Sequence, residues 1–312
     1  MKTVLGWTLS GITPTANTAN VKRQSFFIQD TTNLELNMNR FWEVEAVESA
    51  SMTLEQQACE EHFASHTTRQ PDGRFMVRLP LKTEAKELGT SRRMAENRLL
   101  SLERRLDRNL ELKRQYHNFM HEYEAAGHME PAQPQTGTDP VYFLPHHPVF
   151  KATSTTTKTR VVFDGGAQTS TGLSLNDILQ VGPTIQDDLY SLVLRFRTHQ
   201  VCFTADIAQM YRQVSMNPQD RNLQRILWRY SSDKPIQEYQ LTTVTYGTAS
   251  APFLATRCLK KLAEDNLTSH PKAAQVLRDD FYVDDLLSGT STFKEPLITS
   301  TLYTKCCIPQ PK

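Results

Sequence analysis

The chain has 312 residues, with 35 Lys and Arg against 34 Asp and Glu, and a formal net charge of +1. That balance excludes a polycation, so nucleic-acid contact would have to come from local basic patches. Five cysteines at irregular spacing exclude a disulfide framework and point to a reducing compartment. Mean hydropathy is negative, no apolar run approaches the ~18 residues of a membrane span, and Met1 to Trp7 lacks the apolar core of a secretion signal.

In chain order, Val4 to Ser10 reads as a strand, followed to about residue 40 by a polar stretch rich in Thr and Asn that does not fold alone. Thr53 is placed as a helix N-cap, with Glu55 in the first turn and the helix running through Gln56, Cys59 and Phe63. Pro71-Asp72-Gly73 marks a turn, and Phe75 to Pro80 a short strand. From about Ser91 to Ala126 the spacing predicts one long helical region, with Leu99, Leu102, Leu106 and Leu110 on its apolar face. Between Arg92 and Arg114 stand eight Arg or Lys against four Asp or Glu. This block reads either as a phosphate-contacting surface or as a solvated amphipathic face. Pro131 to Pro140 is a loop. Short strands are then predicted at Val141–Leu144, Val149–Lys151, Thr159–Phe163, His199–Ala205, Ile226–Tyr230 and Tyr239–Leu241, a helix or turn from Asp220, and helices at Pro252–Glu264 and Lys272–Asp279. Cys59, His62 and His66 have zinc-compatible spacing on a helix, but without a fourth ligand they read as helix surface.

The chemistry concentrates in Phe281-Tyr282-Val283-Asp284-Asp285-Leu286-Leu287. Two adjacent ionised carboxylates between apolar runs are costly to desolvate unless paired or bound to a cation. The pattern therefore predicts a tight hairpin presenting acids to a divalent metal. A second apolar strand, Val201 to Ala205, ends at Asp206. Each Asp alone reads more readily as a turn or cap residue. Together they form the ligand pattern of a two-metal phosphoryl-transfer site.

These motifs resemble reverse transcriptases. Tyr282-Val283-Asp284-Asp285 is similar to the family's Tyr-x-Asp-Asp box, and Asp206 followed by Tyr211 to its first catalytic strand. Thr245 to Phe253, containing Tyr246 and Gly247, resembles the segment that packs on nucleotide and template, and Lys158 to Asp164 the fingers hairpin. The leader Phe41 to Pro80 narrows the resemblance to Bel-Pao retrotransposon polyproteins, and Leu5 to Gly11 resembles the last strand of their aspartic protease.

The resemblance implies an α+β fold, a right-hand polymerase palm of split β-α-β type with fingers. It implies Asp206, Asp284 and Asp285 as catalytic residues and ligands of two Mg²⁺, with Mn²⁺ as a substitute. It implies Arg160 and Lys158 on the triphosphate, Tyr211 selecting deoxynucleotides against a 2′-hydroxyl, and Tyr246 and Gly247 beside the substrate. Taken on residue type alone, Arg160 is a surface arginine, Gly247 a loop glycine and Tyr211 a core aromatic; Lys151 is an alternative to Lys158. Gln209 stands where some relatives carry an acid.

The implied organisation is a protease remnant at 1–15, a linker at 16–50, a helical leader at 51–135, fingers and palm at 136–290, and an atypical tail at 291–312. That tail is too short for a thumb, and no Asp-Thr-Gly or Asp-Ser-Gly of a protease occurs. The implied activity is RNA-directed DNA polymerisation, with template, primer and deoxynucleoside triphosphates as partners and no membrane. The implied location is cytoplasmic particles, or the nucleus. The alternative is a truncated element product without turnover that retains weak nucleic-acid or nucleotide affinity.

Overall fold

The computed structural model describes residues 52–134, 137, 139–150 and 159–290, with the backbone of three short strands nearer the N-terminus. Those strands, β1 (Lys2–Thr3), β2 (Gly6–Ile12) and β3 (Arg23–Ile28), form an antiparallel sheet in a unit of their own. The expected strand at Val4–Ser10 falls largely on β2. Lys151, Lys158 and the tail 291–312 lie outside the described residues.

The second unit opens with α1 (Leu54–His66). Thr53 caps it reciprocally: its hydroxyl accepts from Gln56 N–H at 3.2 Å, and the Gln56 side chain accepts from Thr53 N–H at 2.9 Å. Cys59 and Phe63 face the core. Burial pushes the Cys59 thiol up to about 12, so it is an inert core residue. After the turn at Pro71-Asp72-Gly73, β4 (Thr68–Arg69) and β5 (Phe75–Val77) pair antiparallel.

The long helix expected from Ser91 to Ala126 is two helices, α2 (Arg92–Asp107) and α3 (Leu110–Ala125). The break is local. Asn109 adopts extended backbone and its side chain accepts from Leu112 N–H at 3.0 Å, which is N-cap geometry. Leu99, Leu102 and Leu106 are buried as expected, each worth about 1.5–3 kcal/mol. Leu110, at the start of the new helix, is 76% exposed.

Three small sheets follow. The hairpin β7 (His146–Phe150) and β8 (Thr159–Phe163) is antiparallel. Strands β6 (Met129–Pro131), β11 (Arg225–Trp228) and β12 (Gln237–Leu241) form a second sheet in the order β11-β12-β6. The third holds β9 (Val201–Asp206) and the hairpin β13 (Phe281–Tyr282) and β14 (Asp285–Thr290), in the order β13-β14-β9. A further short strand, β10 (Ser215–Met216), runs parallel to β5, and Asn217 N–H just beyond it donates to the Val77 carbonyl at 2.9 Å. The fold is mixed α+β.

Val141–Leu144, expected as a strand, makes only an isolated bridge at Phe143 and hydrogen bonds to Asn222 and Arg225. Two short helices went unpredicted: α4 (Leu175–Ile178), capped by Ser174 and Asp177, and α5 (Leu189–Phe196), capped by Asp188. The predicted α6 (Ala251–Asn266) and α7 (Pro271–Asp279) both form, each with proline in its first turn.

One core runs from Cys59 to Cys258 and includes Leu99, Tyr116, Tyr123, Phe163 and Trp228. The helices of the predicted leader therefore share their core with the strands that follow. A smaller cluster, Met210, Ala255, Leu259, Leu277, Phe281 and Leu286, lies behind the Asp284-Asp285 turn. It joins α6 and α7 to the third sheet.

Candidate active site

Strands β9 and β14 are paired from Thr290↔Val201 to Asp285↔Asp206. Residues directly opposite in an antiparallel pair put their side chains on the same face. The register thus brings Asp285 beside Asp206 from 79 positions away in sequence (285 − 206). The Asp284 carbonyl accepts from Ile207 N–H at 2.9 Å, which closes the ladder just past Asp206. The Asp206 and Asp284 carboxyls stand within hydrogen-bonding reach of one another. Partial desolvation, then the negative charges of Asp284 and Asp285, hold the Asp206 carboxyl above its usual range. Among the described residues no cationic side chain offsets that rise.

The turn that presents Asp284 is strained. Val283 has φ of 55°, a left-handed conformation that a β-branched residue rarely adopts. Its backbone is held at both ends by one carboxamide: Val283 N–H donates to Gln186 Oε1 at 2.7 Å, and Gln186 Nε2 donates to the Val283 carbonyl at 3.2 Å. Gln186 is half-buried. It is the positioning residue that sequence reasoning missed, because nothing local distinguishes it and its partner lies 97 positions away.

Beyond Asp206, Gln209 takes φ of 54° and starts a short 3₁₀ turn, Met210–Gln213. Met210 is buried in the smaller cluster, and Tyr211 packs against both clusters. Burial, then the Asp284 charge, raises the pKa of the Tyr211 hydroxyl. Its centroid is 6.5 Å from that of Tyr246. The Tyr246 hydroxyl donates to the Val161 carbonyl on β8 at 2.7 Å, and the ring lies 5.5 Å from Phe163.

Gly247 has φ of 98°, and a Cβ there would sit 2.0 Å from the Phe163 carbonyl oxygen. Only glycine fits. A second carboxamide fixes this loop: Asn176, on α4, donates to the Gly247 carbonyl at 3.2 Å and accepts from Ala249 N–H at 2.8 Å. Asn176 also escaped sequence reading.

Arg160 is exposed on β8, opposite Val149 of β7. The Tyr246 hydroxyl donates to the carbonyl of Val161, the residue after Arg160 on the same strand. Asp206, Asp284, Asp285, Tyr211, Tyr246, Gly247 and Arg160 therefore form one continuous series from the third sheet to the β7–β8 hairpin. Lys158, the remaining predicted site residue, lies outside the described residues.

Among the described residues no group of three or more His, Cys, Asp or Glu forms a ready-made metal cage. The arrangement is an Asp206–Asp284 pair with Asp285 alongside. Such an oxygen-only set fits Mg²⁺, which commonly takes one or two carboxylates and completes its shell with water and phosphate. It does not fit the softer ligand preferences of zinc. No family model matches the chain, and no curated protein matches it.

Proposed function

We propose that this protein is the fingers and palm of an RNA-directed DNA polymerase of the Bel-Pao retrotransposon type. The observation that carries the reading is the β9–β14 register, which sets Asp206 opposite Asp285 with the Asp284 carboxyl in reach. Three acids with no offsetting cation among the described residues are an unfavourable arrangement unless a cation is part of the working state.

In this reading the primer 3′-hydroxyl attacks the α-phosphate of a deoxynucleoside triphosphate and pyrophosphate leaves. Asp206 and Asp284, aided by Asp285, would hold Mg²⁺. Bound there, the metal supplies Lewis-acid stabilisation of the attacking and leaving oxygens. Gln186 holds the Val283 turn so that the Asp284 carboxyl stays beside Asp206. Tyr211, packed between two cores, offers a rigid wall to the sugar and excludes a 2′-hydroxyl. Gly247 lets the loop close onto the Phe163 carbonyl, which holds the neighbouring Tyr246 in place beside the substrate. Arg160 presents a planar fork of donors to the triphosphate from the solvent-facing side of the hairpin.

The test is primer extension on an RNA template with Mg²⁺, comparing the protein with Asp284→Asn and Asp206→Asn. Template-directed incorporation lost in both variants supports the reading. Incorporation that survives either substitution, or none from the unmodified protein, refutes it. In the second case a binding protein without turnover becomes the better account.

A further inference from the structure

The Val283 turn is braced from a second side. Gln186, whose carboxamide holds Val283, lies on the segment that enters α5. Ile185, just before it, packs against the larger core. Just after it, Asp188 caps α5 by accepting from Ser191 N–H at 2.9 Å and from Ser191 Oγ at 2.8 Å. Asp187, between the two, reaches along the helix instead. Its carboxylate accepts from Arg195 Nη1 at 2.8 Å, eight positions on. The same guanidinium donates through Nη2 to the Asp279 carbonyl, 84 positions away.

Asp279 ends α7, where backbone carbonyls lack helical partners and a cation is favourable. Its carboxylate accepts from Arg278 at 2.8 and 3.1 Å, and its carbonyl from Arg195. The next residue, Asp280, opens the β13–β14 hairpin. Its carboxylate accepts from Ser288 Oγ at 2.5 Å and its carbonyl from Leu287 N–H at 2.9 Å. From Asp279 the chain runs five residues to Asp284 (284 − 279). Arg195 therefore joins the two chain segments that meet at Val283, one carrying Gln186 and the other carrying Asp284. An Asp187–Arg195 pair at the surface would by itself contribute little. The main-chain partner on α7 gives it a second anchor. Serving both acceptors at once takes the planar fork of a guanidinium, where an ammonium is a single point charge.

We propose that Arg195 is a positioning residue for the Val283–Asp284 turn. Its fork sets the spacing between Asp187 and the end of α7, so that the neighbouring Gln186 carboxamide meets Val283 aligned and Asp284 stays beside Asp206. Arg195 acts through Gln186 and not on the acids directly. The proposal rests on the polymerase reading for any effect on incorporation, but not for its effect on the turn.

The experiment is amide hydrogen exchange of the metal-free protein, read by mass spectrometry on the peptide spanning Phe281 to Leu287. Arg195→Gln should speed exchange there about tenfold, the lower end for losing hydrogen bonds from a charged group. Mn²⁺ alone, followed by its paramagnetic resonance, should bind that variant about tenfold more weakly, the lower end for a change behind metal ligands. Arg197→Gln, an exposed arginine two residues on, should change neither. On a Gln186→Ala background Arg195→Gln should add nothing, because its route to the turn is already cut. Arg195→Lys keeps the charge without the fork and should fall between the unmodified protein and Arg195→Gln. If Arg195→Gln loses helical circular dichroism, Asp187→Asn, which weakens only the acid partner, should still speed the exchange. Unchanged exchange in these variants, an equal effect from Arg197→Gln, or full additivity with Gln186→Ala overturns the proposal. Faster exchange with unchanged Mn²⁺ affinity overturns its reach to Asp284. Faster exchange without incorporation by any of these proteins upholds the positioning role and sinks the polymerase. Incorporation with exchange indifferent to Arg195 does the reverse.

Discussion

Replacing Gln186 with Ala removes both hydrogen bonds that hold Val283 at φ 55°. Two such bonds in a half-buried setting contribute about 1–3 kcal/mol together. Left-handed strain at a β-branched residue stores about 1–3 kcal/mol, and the freed turn recovers part of it by relaxing. The net loss is about 1 kcal/mol, or about 2–4 °C in the thermal midpoint of a unit this size. Relaxation at Val283 rotates the next residue, Asp284, away from Asp206. The rise in midpoint that Mg²⁺ confers by binding the folded state should therefore shrink along with primer extension. Val283→Gly keeps the positive φ without strain. The double variant Gln186→Ala, Val283→Gly should recover the Mg²⁺ response while its midpoint stays low. Scanning calorimetry with and without Mg²⁺ measures both quantities. A Gln186→Ala protein with unaltered midpoint and Mg²⁺ response would refute the clamp. A Mg²⁺ response that Val283→Gly does not restore would refute its action through the turn.

Gly247→Ala should cost about 3–5 kcal/mol, from strain at φ 98° and collision with the Phe163 carbonyl, measured as a lower urea midpoint at unchanged slope. Asp206→Asn should raise the thermal midpoint near pH 7–8 while abolishing incorporation. The Asp206 pKa is raised on folding, so its ionisation disfavours the fold as pH rises through that pKa, and the gain from Asn should vanish below the carboxylate range. His146 is buried, with Nε2 donating to the Leu227 carbonyl at 3.0 Å and Nδ1 2.5 Å from the Tyr116 hydroxyl, and burial lowers its pKa to about 4. Its neutral form is favoured in the fold, so its contribution is complete above about pH 6.5 and falls by on the order of 3 kcal/mol as pH drops to about 4. A stability profile from denaturant melts should be flatter over that window in His146→Gln; an equally steep profile would contradict the assignment.

Elements whose stabilising pattern is local were legible before the structure. Thr53 with Gln56, the Leu99–Leu102–Leu106 face and the strand ending at Asp206 all declare themselves within a few residues. The long helix was misread because the Asn109 cap is a single polar residue inside an otherwise continuous apolar rhythm. Helix α5 was missed because its eight residues are too few for a helical period to stand out, although Ser191 and Arg195 share one side of it. Val141–Leu144 has a strand's composition, but its partners at Asn222 and Arg225 permit only a bridge.

By itself the sequence determined the chemical kind of the site: carboxylates at the ends of apolar strands, an aromatic five residues after the first, a glycine in the loop and an arginine on a hairpin. Each is a property of residue type and short spacing. Only the tertiary structure decided that Asp206 faces Asp285 and that Gln186 and Asn176 hold the two loops. Those relations depend on strand register and on side chains reaching partners tens of residues away. A register slip of one residue would turn every side chain of a strand to the other face, and no local pattern in the chain specifies which long-range partner is met.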